Sequence, residues 1–182
     1  MAKKHLFLTG FMGAGKSRIG RELSRKTGLP FFDTDKLIEE REKKSIKTIF
    51  DDDGEEFFRK LEKEIVQQMC RQPYPAIIAL GGGALQNIEN FRQATKSGII
   101  IYIQSDPQFI FERIRHSNKR PLLNLPHADN YENLLMEKIR ELLDKREHIY
   151  QKSDIVFNRD GMELELITDR LLELIQKQRT GA

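Results

Sequence analysis

The chain has 182 residues, with 31 Lys plus Arg against 28 Asp plus Glu, four His, no Trp and one cysteine, Cys70. That length suits one domain with one core, and a net charge of +3 among 32% charged residues leaves no basic stripe of the kind that holds nucleic acid. A lone cysteine excludes an intrachain disulfide and any zinc site built from two thiolates, which points to a reduced, cytoplasmic protein.

Lys3 and Lys4 ahead of Leu6-Phe7-Leu8 look like the start of a signal peptide, but Thr9 and Gly10 end the apolar run, short of the about 7–15 residues such a region needs. No stretch reaches the roughly 18 apolar residues of a membrane span, so no membrane partner is expected. Leu6-Phe7-Leu8 is instead the first of five short apolar runs. Pro30-Phe31-Phe32, Ala76-Ile77-Ile78-Ala79-Leu80, Ile99-Ile100-Ile101-Tyr102-Ile103 and Ile155-Val156-Phe157 follow. Continuous apolarity over so few residues fits strands covered on both faces, as in a parallel sheet.

Between these runs the spacing is helical. Ile19 and Leu23 lie four apart with Gly28 as a C-terminal cap, Leu61, Ile65 and Met69 repeat at four, and so do Leu135, Ile139 and Leu143. Asp106-Pro107 reads as a capping residue followed by proline at the first helical position. Strands alternating with helices predict a three-layer α/β domain with right-handed crossovers. Gln72-Pro73-Tyr74-Pro75 is only a stiff turn, so residues 1–182 read as one domain. The longest stretch without periodicity, about 116–127, holds Lys119, Arg120, Pro121 and Pro126 and is a candidate lid or a plain surface loop.

Gly10-Phe11-Met12-Gly13-Ala14-Gly15-Lys16-Ser17 matches G-x-x-x-x-G-K-[ST] between the first strand and the first helix. Glycines let backbone N–H groups turn inward around a phosphate, and the helix N-terminus adds positive charge. Lys16 would reach the β and γ phosphates and the Ser17 hydroxyl would ligate Mg²⁺. A GTPase is not expected: Asn118-Lys119-Arg120-Pro121 lacks the Asp of the guanine motif, and Asp51-Asp52-Asp53-Gly54 follows an amphipathic stretch rather than a strand.

Asp33-Thr34-Asp35 comes directly off the second strand, so two carboxylates project at the C-terminal edge of the sheet, where α/β proteins bind ligands. A kinase needs one carboxylate near Mg²⁺ and one near the acceptor hydroxyl; the alternative is that Asp33 or Thr34 caps the next helix. The third strand runs into Gly81-Gly82-Gly83, a turn that lets a small ligand approach the main chain. It carries no acidic residue to help place Mg²⁺, which leaves Asp33 as the substitute.

These motifs closely resemble the shikimate kinases. The resemblance runs through Gly10 to Ser17, Asp33-Thr34-Asp35, Ile49-Phe50 with Asp53-Gly54-Glu55, Phe58-Arg59-Lys60-Leu61-Glu62, Gly81 to Gly83, Arg120-Pro121-Leu122-Leu123 and Arg146-Glu147 with Tyr150. It implies a P-loop kinase fold like that of nucleoside-monophosphate kinases, a five-stranded parallel sheet flanked by helices, with an acceptor-binding region at about 34–62 and a lid at about 116–127. It implies transfer of the γ-phosphoryl group of ATP to the 3-hydroxyl of shikimate, giving shikimate 3-phosphate for aromatic amino-acid synthesis. ATP, shikimate and Mg²⁺ are the implied partners, and a monomer is expected.

By the same resemblance Asp35 serves the acceptor hydroxyl, Asp33 holds Mg²⁺ through water, and Lys16 and Arg120 act in catalysis. Arg59 and Arg146 grip the shikimate carboxylate, as planar, permanently charged guanidinium groups do. Gly81, Gly82, Gly83 and Glu62 face the acceptor, and Phe50 and Phe58 wall it. Gly13, Ala14, Gly15, Lys16, Ser17, Arg18, Arg113, Arg120, Asn158 and Arg159 belong to ATP. In the last turn the sequence departs from members with a second Arg and a Pro there, since Asp160, Gly161 and Met162 stand instead. Read without the resemblance, Arg59 and Arg146 are ordinary helix-surface ion pairs and Phe50 and Phe58 core aromatics. The rival functions are a kinase for another small acceptor, such as gluconate or a nucleoside monophosphate, and a nucleotide-binding regulatory module without turnover.

Overall fold

Strand and helix alternate along the computed structural model, which describes residues 4–115 and 130–181. Strand β1 (His5–Thr9) leads into helix α1 (Lys16–Thr27), and β2 (Phe31–Asp33) into α2 (Thr34–Glu42), α3 (Ile46–Asp52) and α4 (Gly54–Cys70). Strand β3 (Ile77–Ala79) precedes a 3₁₀ turn (Ala84–Gln86) and α5 (Ile88–Ser97). Strand β4 (Gly98–Gln104) is followed by α6 (Pro107–Ile114) and α7 (Tyr131–Tyr150), and β5 (Ile155–Asn158) by α8 (Leu164–Thr180). The candidate lid, including Arg120, lies outside the described residues.

The helix ends carry the residues their geometry requires. Gly28 closes α1 in the left-handed conformation at φ 72°, where an L side chain is strained. Asp33, Ser45, Asn87 and Asp106 each accept a backbone N–H of the first turn that follows them.

All five strands are parallel, in the order β2-β3-β1-β4-β5. β1 is central, and its Leu8 lies opposite Ala79 on one side and Ile101 on the other. The strand boundaries differ from the apolar runs by a residue or two. Proline has no N–H for the ladder, so β2 begins after Pro30. Ala76 and Leu80 still exchange backbone hydrogen bonds with β1 at both ends of β3.

The strand period of two divides the core. Leu6 and Leu8 of β1, with Ile99, Ile101 and Ile103 of β4, face α1 and α8. Phe7, Ile78 and Ile100 face α4 and α5, while Tyr102 packs with Phe11 against α6 and α7. Each such fully buried Leu, Ile or Phe contributes about 1.5–3 kcal/mol. Among the described residues no helix is long and apolar enough to cross a membrane. With both faces covered, functional groups gather where the strands end, and the loops after β1, β2 and β3 converge there.

Candidate active site

The loop after β1 passes through positive φ at Gly10 (135°), Gly13 (84°) and Gly15 (91°) before α1 begins at Lys16. This backbone turns N–H groups inward and sets the helix N-terminus behind them. Lys16 folds over the loop, its Nζ donating to the Gly10 carbonyl at 2.7 Å and the Phe11 carbonyl at 3.0 Å. A cavity of about 500 Å³ opens here, lined among others by Gly13, Gly15, Lys16, Ser17, Arg18, Asp33, Asp35, Gly82 and Arg113. Ala14 is buried beneath the loop.

Asp33 both caps a helix and faces the phosphate loop. Its Oδ1 accepts the backbone N–H groups of Asp35 and Lys36, and its Oδ2 accepts the Ser17 hydroxyl at 2.5 Å. Among the described residues no cluster of three or more His, Cys, Asp or Glu could enclose a metal ion. Ser17 beside one carboxylate nonetheless suits Mg²⁺, which retains several waters and takes phosphate oxygens plus one or two protein ligands.

The triple-glycine turn brings the second half of the site together. A Cβ on Gly81 would lie 2.6 Å from Glu62 Oε1 and 2.8 Å from Asp35 Oδ1. One on Gly82 would lie 3.5 Å from Arg146 Nη1, and one on Gly83 2.7 Å from Arg59 Nη1. Gly81 and Gly83 thus each admit a different charged group to the main chain, whereas a Cβ on Gly82 would make only ordinary contact. Thr34, between the two aspartates, is fully buried and its hydroxyl accepts the Gly81 N–H at 2.9 Å.

Glu62 is buried on α4, and its Oε2 takes Arg59 Nη1 at 2.8 Å. Burial pushes its carboxyl above the usual range, against the pull of Arg59. Arg59 also holds Glu55 at 2.9 Å. Arg146, buried on α7, sits 5.6 Å from the centre of the Phe11 ring. Glu62 Oε1 and Arg146 Nη1 have no hydrogen-bond partner among the described residues. At the edge of a cavity such atoms are open to completion by a ligand or a water. A second cavity of about 280 Å³ adjoins them, lined by Arg59, Glu62, Gly83 and Arg146 with Gln86, Asn87 and Lys145.

At the far end, Arg113 Nη1 donates to Ser105 Oγ at 3.0 Å and its Nη2 pairs with Asp160 Oδ1 at 3.5 Å. Asp160 also accepts the Ser105 hydroxyl at 2.5 Å and the Asp106 N–H at 2.6 Å. Arg159 reaches the P-loop, with Nη1 3.1 Å from where a Gly15 Cβ would stand. Burial, with the charges of Arg113 and Arg18, pulls its pKa below the ordinary guanidinium value, Asp160 opposing.

Among the expected site residues that line neither cavity are Phe50, Phe58 and Asn158. The rings of Phe50 and Phe58 pack 4.8 Å apart in the core, with the Arg59 guanidinium 5.3 Å over Phe58. Phe58 lies on the face of α4 that also buries Leu61 and Ile65, which turns the ring inward. Asn158 is exposed, its side-chain oxygen accepting the Asp160 N–H at 2.9 Å. The sequence names Thr34, Tyr150 and Asp160 but not the partners they meet. A lone Thr or Tyr shows its partner only once distant elements meet.

A family model described as "SKI: Shikimate kinase" matches residues 12–176. A shikimate kinase of Thermus thermophilus is 41% identical over 167 residues, covering 91% of this chain and 86% of that protein. Among solved structures, a shikimate kinase from Acinetobacter baumannii in complex with shikimate superposes with a TM-score of 0.87 at 28% identity, covering 96% of this chain and 94% of that one. A gluconokinase from Sinorhizobium meliloti, with a TM-score of 0.60 and 15% identity over 100% of this chain and 97% of that one, shares the fold.

Proposed function

The chain belongs to the shikimate kinase family, and from that premise we infer that it transfers the γ-phosphoryl group of ATP to the 3-hydroxyl of shikimate. The observation that carries the reading is the pair of unpartnered buried atoms flanking the triple-glycine turn, Glu62 Oε1 and Arg146 Nη1. They ask for an acceptor that donates from a hydroxyl and offers an anionic oxygen, and shikimate has three hydroxyls and one carboxylate.

Inward N–H groups of Gly13 to Ser17, the helix N-terminus and Lys16 hold the ATP phosphates. Arg18, Arg113, Asn158, Arg159 and Arg120, the last outside the described residues, complete the nucleotide's surroundings. Ser17 and, through water, Asp33 would hold Mg²⁺, which when bound neutralises charge on the β and γ phosphates. The Ser17–Asp33 hydrogen bond keeps these two oxygens together.

Arg59 and Arg146 bind the acceptor carboxylate, with Phe58 backing Arg59 and Phe50 packed behind Phe58. Glu62 fixes Arg59 and accepts from a ring hydroxyl. Asp35, at the start of α2 beside Gly81, orients the reacting hydroxyl and takes its proton as the O–P bond forms. Since phosphoryl transfer is largely dissociative, orientation is the larger share of that contribution. Arg120 supplies a cation to charge developing on the transferred group.

The direct test is ADP release from MgATP by the purified protein. Release that depends on shikimate is the expected result. Release independent of shikimate, or dependent on gluconate in its place, would overturn the reading.

A further inference from the structure

Arg146 and Tyr150 lie one helical turn apart on α7, and both reach the triple-glycine turn. Tyr150 is 1% exposed, and its hydroxyl donates to the carbonyl of Gly82. Its ring stacks on Tyr102 of β4, with centroids 4.7 Å apart and planes 29° from parallel. Tyr102 Oη donates in turn to Glu147 Oε2 at 2.8 Å, and the Gln151 amide donates to Glu147 Oε1 at 2.6 Å. The phenol is therefore clamped between sheet and helix, with its hydroxyl directed at one backbone carbonyl. Burial pushes its pKa up to about 12, the charge of Arg146 and a side-chain hydrogen bond with it pulling the other way, so the phenol keeps its proton for the Gly82 carbonyl while its oxygen also neighbours Arg146.

A trans peptide is planar, and the C=O of one residue points opposite to the N–H of the next. Holding the Gly82 carbonyl toward Tyr150 therefore aims the Gly83 N–H away from it, and Gly83 lines the acceptor cavity with Arg59 and Arg146. Two consecutive glycines carry no side chain to hold that peptide plane, and glycine leaves the backbone the widest choice of orientation. Among the described residues neither the Gly82 nor the Gly83 N–H has a hydrogen-bond partner.

We propose that Tyr150 is a positioning residue for the acceptor: its hydroxyl locks the Gly82–Gly83 peptide so that the Gly83 N–H stands as a fixed donor to an acceptor oxygen. This rests on the reading of the cavity as the shikimate site.

Tyr150→Phe keeps the ring and its stack and removes only the hydroxyl. Tyr102→Phe is the matched control, since it removes a buried hydroxyl from the same stack without touching Gly82. In shikimate-dependent ADP release, Tyr150→Phe should raise KM for shikimate about 5- to 30-fold, the size of one oriented hydrogen bond, with kcat and KM for ATP within about twofold. Tyr102→Phe should leave all three within about twofold. A shikimate KM within twofold of wild type in Tyr150→Phe, a parallel rise in both KM values, or the same split in Tyr102→Phe would overturn the proposal. A second readout needs no variant: shikimate without ATP should slow hydrogen exchange at the wild-type Gly83 amide, and unchanged exchange would overturn it too. Wild-type protein without shikimate-dependent turnover would instead sink the functional reading beneath it.

Discussion

Substituting Gly81 by alanine inserts a methyl group between two carboxylates. Gly81 is not among the glycines at positive φ, so the backbone accepts alanine and the effect is steric. The new Cβ meets Glu62 Oε1 at 2.6 Å and Asp35 Oδ1 at 2.8 Å, where ordinary contact begins at 3.4 Å. The two groups must retreat by about 0.8 and 0.6 Å in a close-packed interior. Neither yields freely, because Glu62 is tied to Arg59 and Asp35 stands in the first turn of a capped helix. Overpacking of this kind costs about 1–3 kcal/mol of stability, and a shift approaching 1 Å at the reacting centre costs up to about 10²-fold in rate. Coupled ADP release should show kcat/KM for shikimate falling roughly 10- to 100-fold, with KM for ATP within about twofold. Gly28→Ala is the comparison, since Gly28 has open space around it but lies at φ 72°. It should lose about 1–2 kcal/mol in urea unfolding through backbone strain alone and keep wild-type kinetics. Near-wild-type kcat/KM in Gly81→Ala would refute the convergence of Asp35 and Glu62 on the acceptor.

Three further outcomes are expected. Asp35→Asn should lower kcat by about 10²-fold while calorimetric ATP binding persists; near-normal turnover would reduce Asp35 to a first-turn residue of α2. Arg59→Ala should raise KM for shikimate roughly 10- to 100-fold through loss of a charge-assisted contact, and an unchanged KM would leave Arg59 only a partner for Glu62. The third concerns pH. Burial raises the folded-state pKa of Glu62 above the ordinary 4.5, so the group favours the fold below that value and the advantage fades as pH rises through its folded-state pKa. In urea unfolding, wild type should therefore lose stability relative to Glu62→Gln between pH 4.5 and 8. A difference that is flat across this range, or of opposite slope, contradicts the burial argument.

Much of the site was legible because its chemistry is written in contiguous residues. Gly10 to Ser17 is a local instruction: glycines admit the positive φ values of the loop, and the helix that follows brings Lys16 and Ser17 to its mouth. Asp33 needed only the strand end before it; the structure makes it the helix cap, one of the two readings the sequence held apart, and adds a hydrogen bond from Ser17 that the sequence did not foresee. The five apolar runs each became a strand, since continuous burial on both faces demands that composition.

Tertiary structure decided which side chains meet. Phe50 and Phe58 are equally compatible with pocket wall or core; the face of α4 that packs on the sheet turned Phe58 inward, and the half-buried Phe50 of α3 packs on its ring. Whether Glu62 is a solvated helix charge or a buried carboxyl depends on the glycine turn that packs over it. Thr34 meets Gly81 across 47 positions, Asp160 meets Ser105 across 55, and Tyr150 meets Gly82 across 68. Such pairings follow from the strand order β2-β3-β1-β4-β5, which brings distant loops to one sheet edge. Local periodicity and capping determine where each element begins and which face it buries. The burial that desolvates Glu62, orphans one nitrogen of Arg146 and aims the Tyr150 hydroxyl exists only once all the elements have packed.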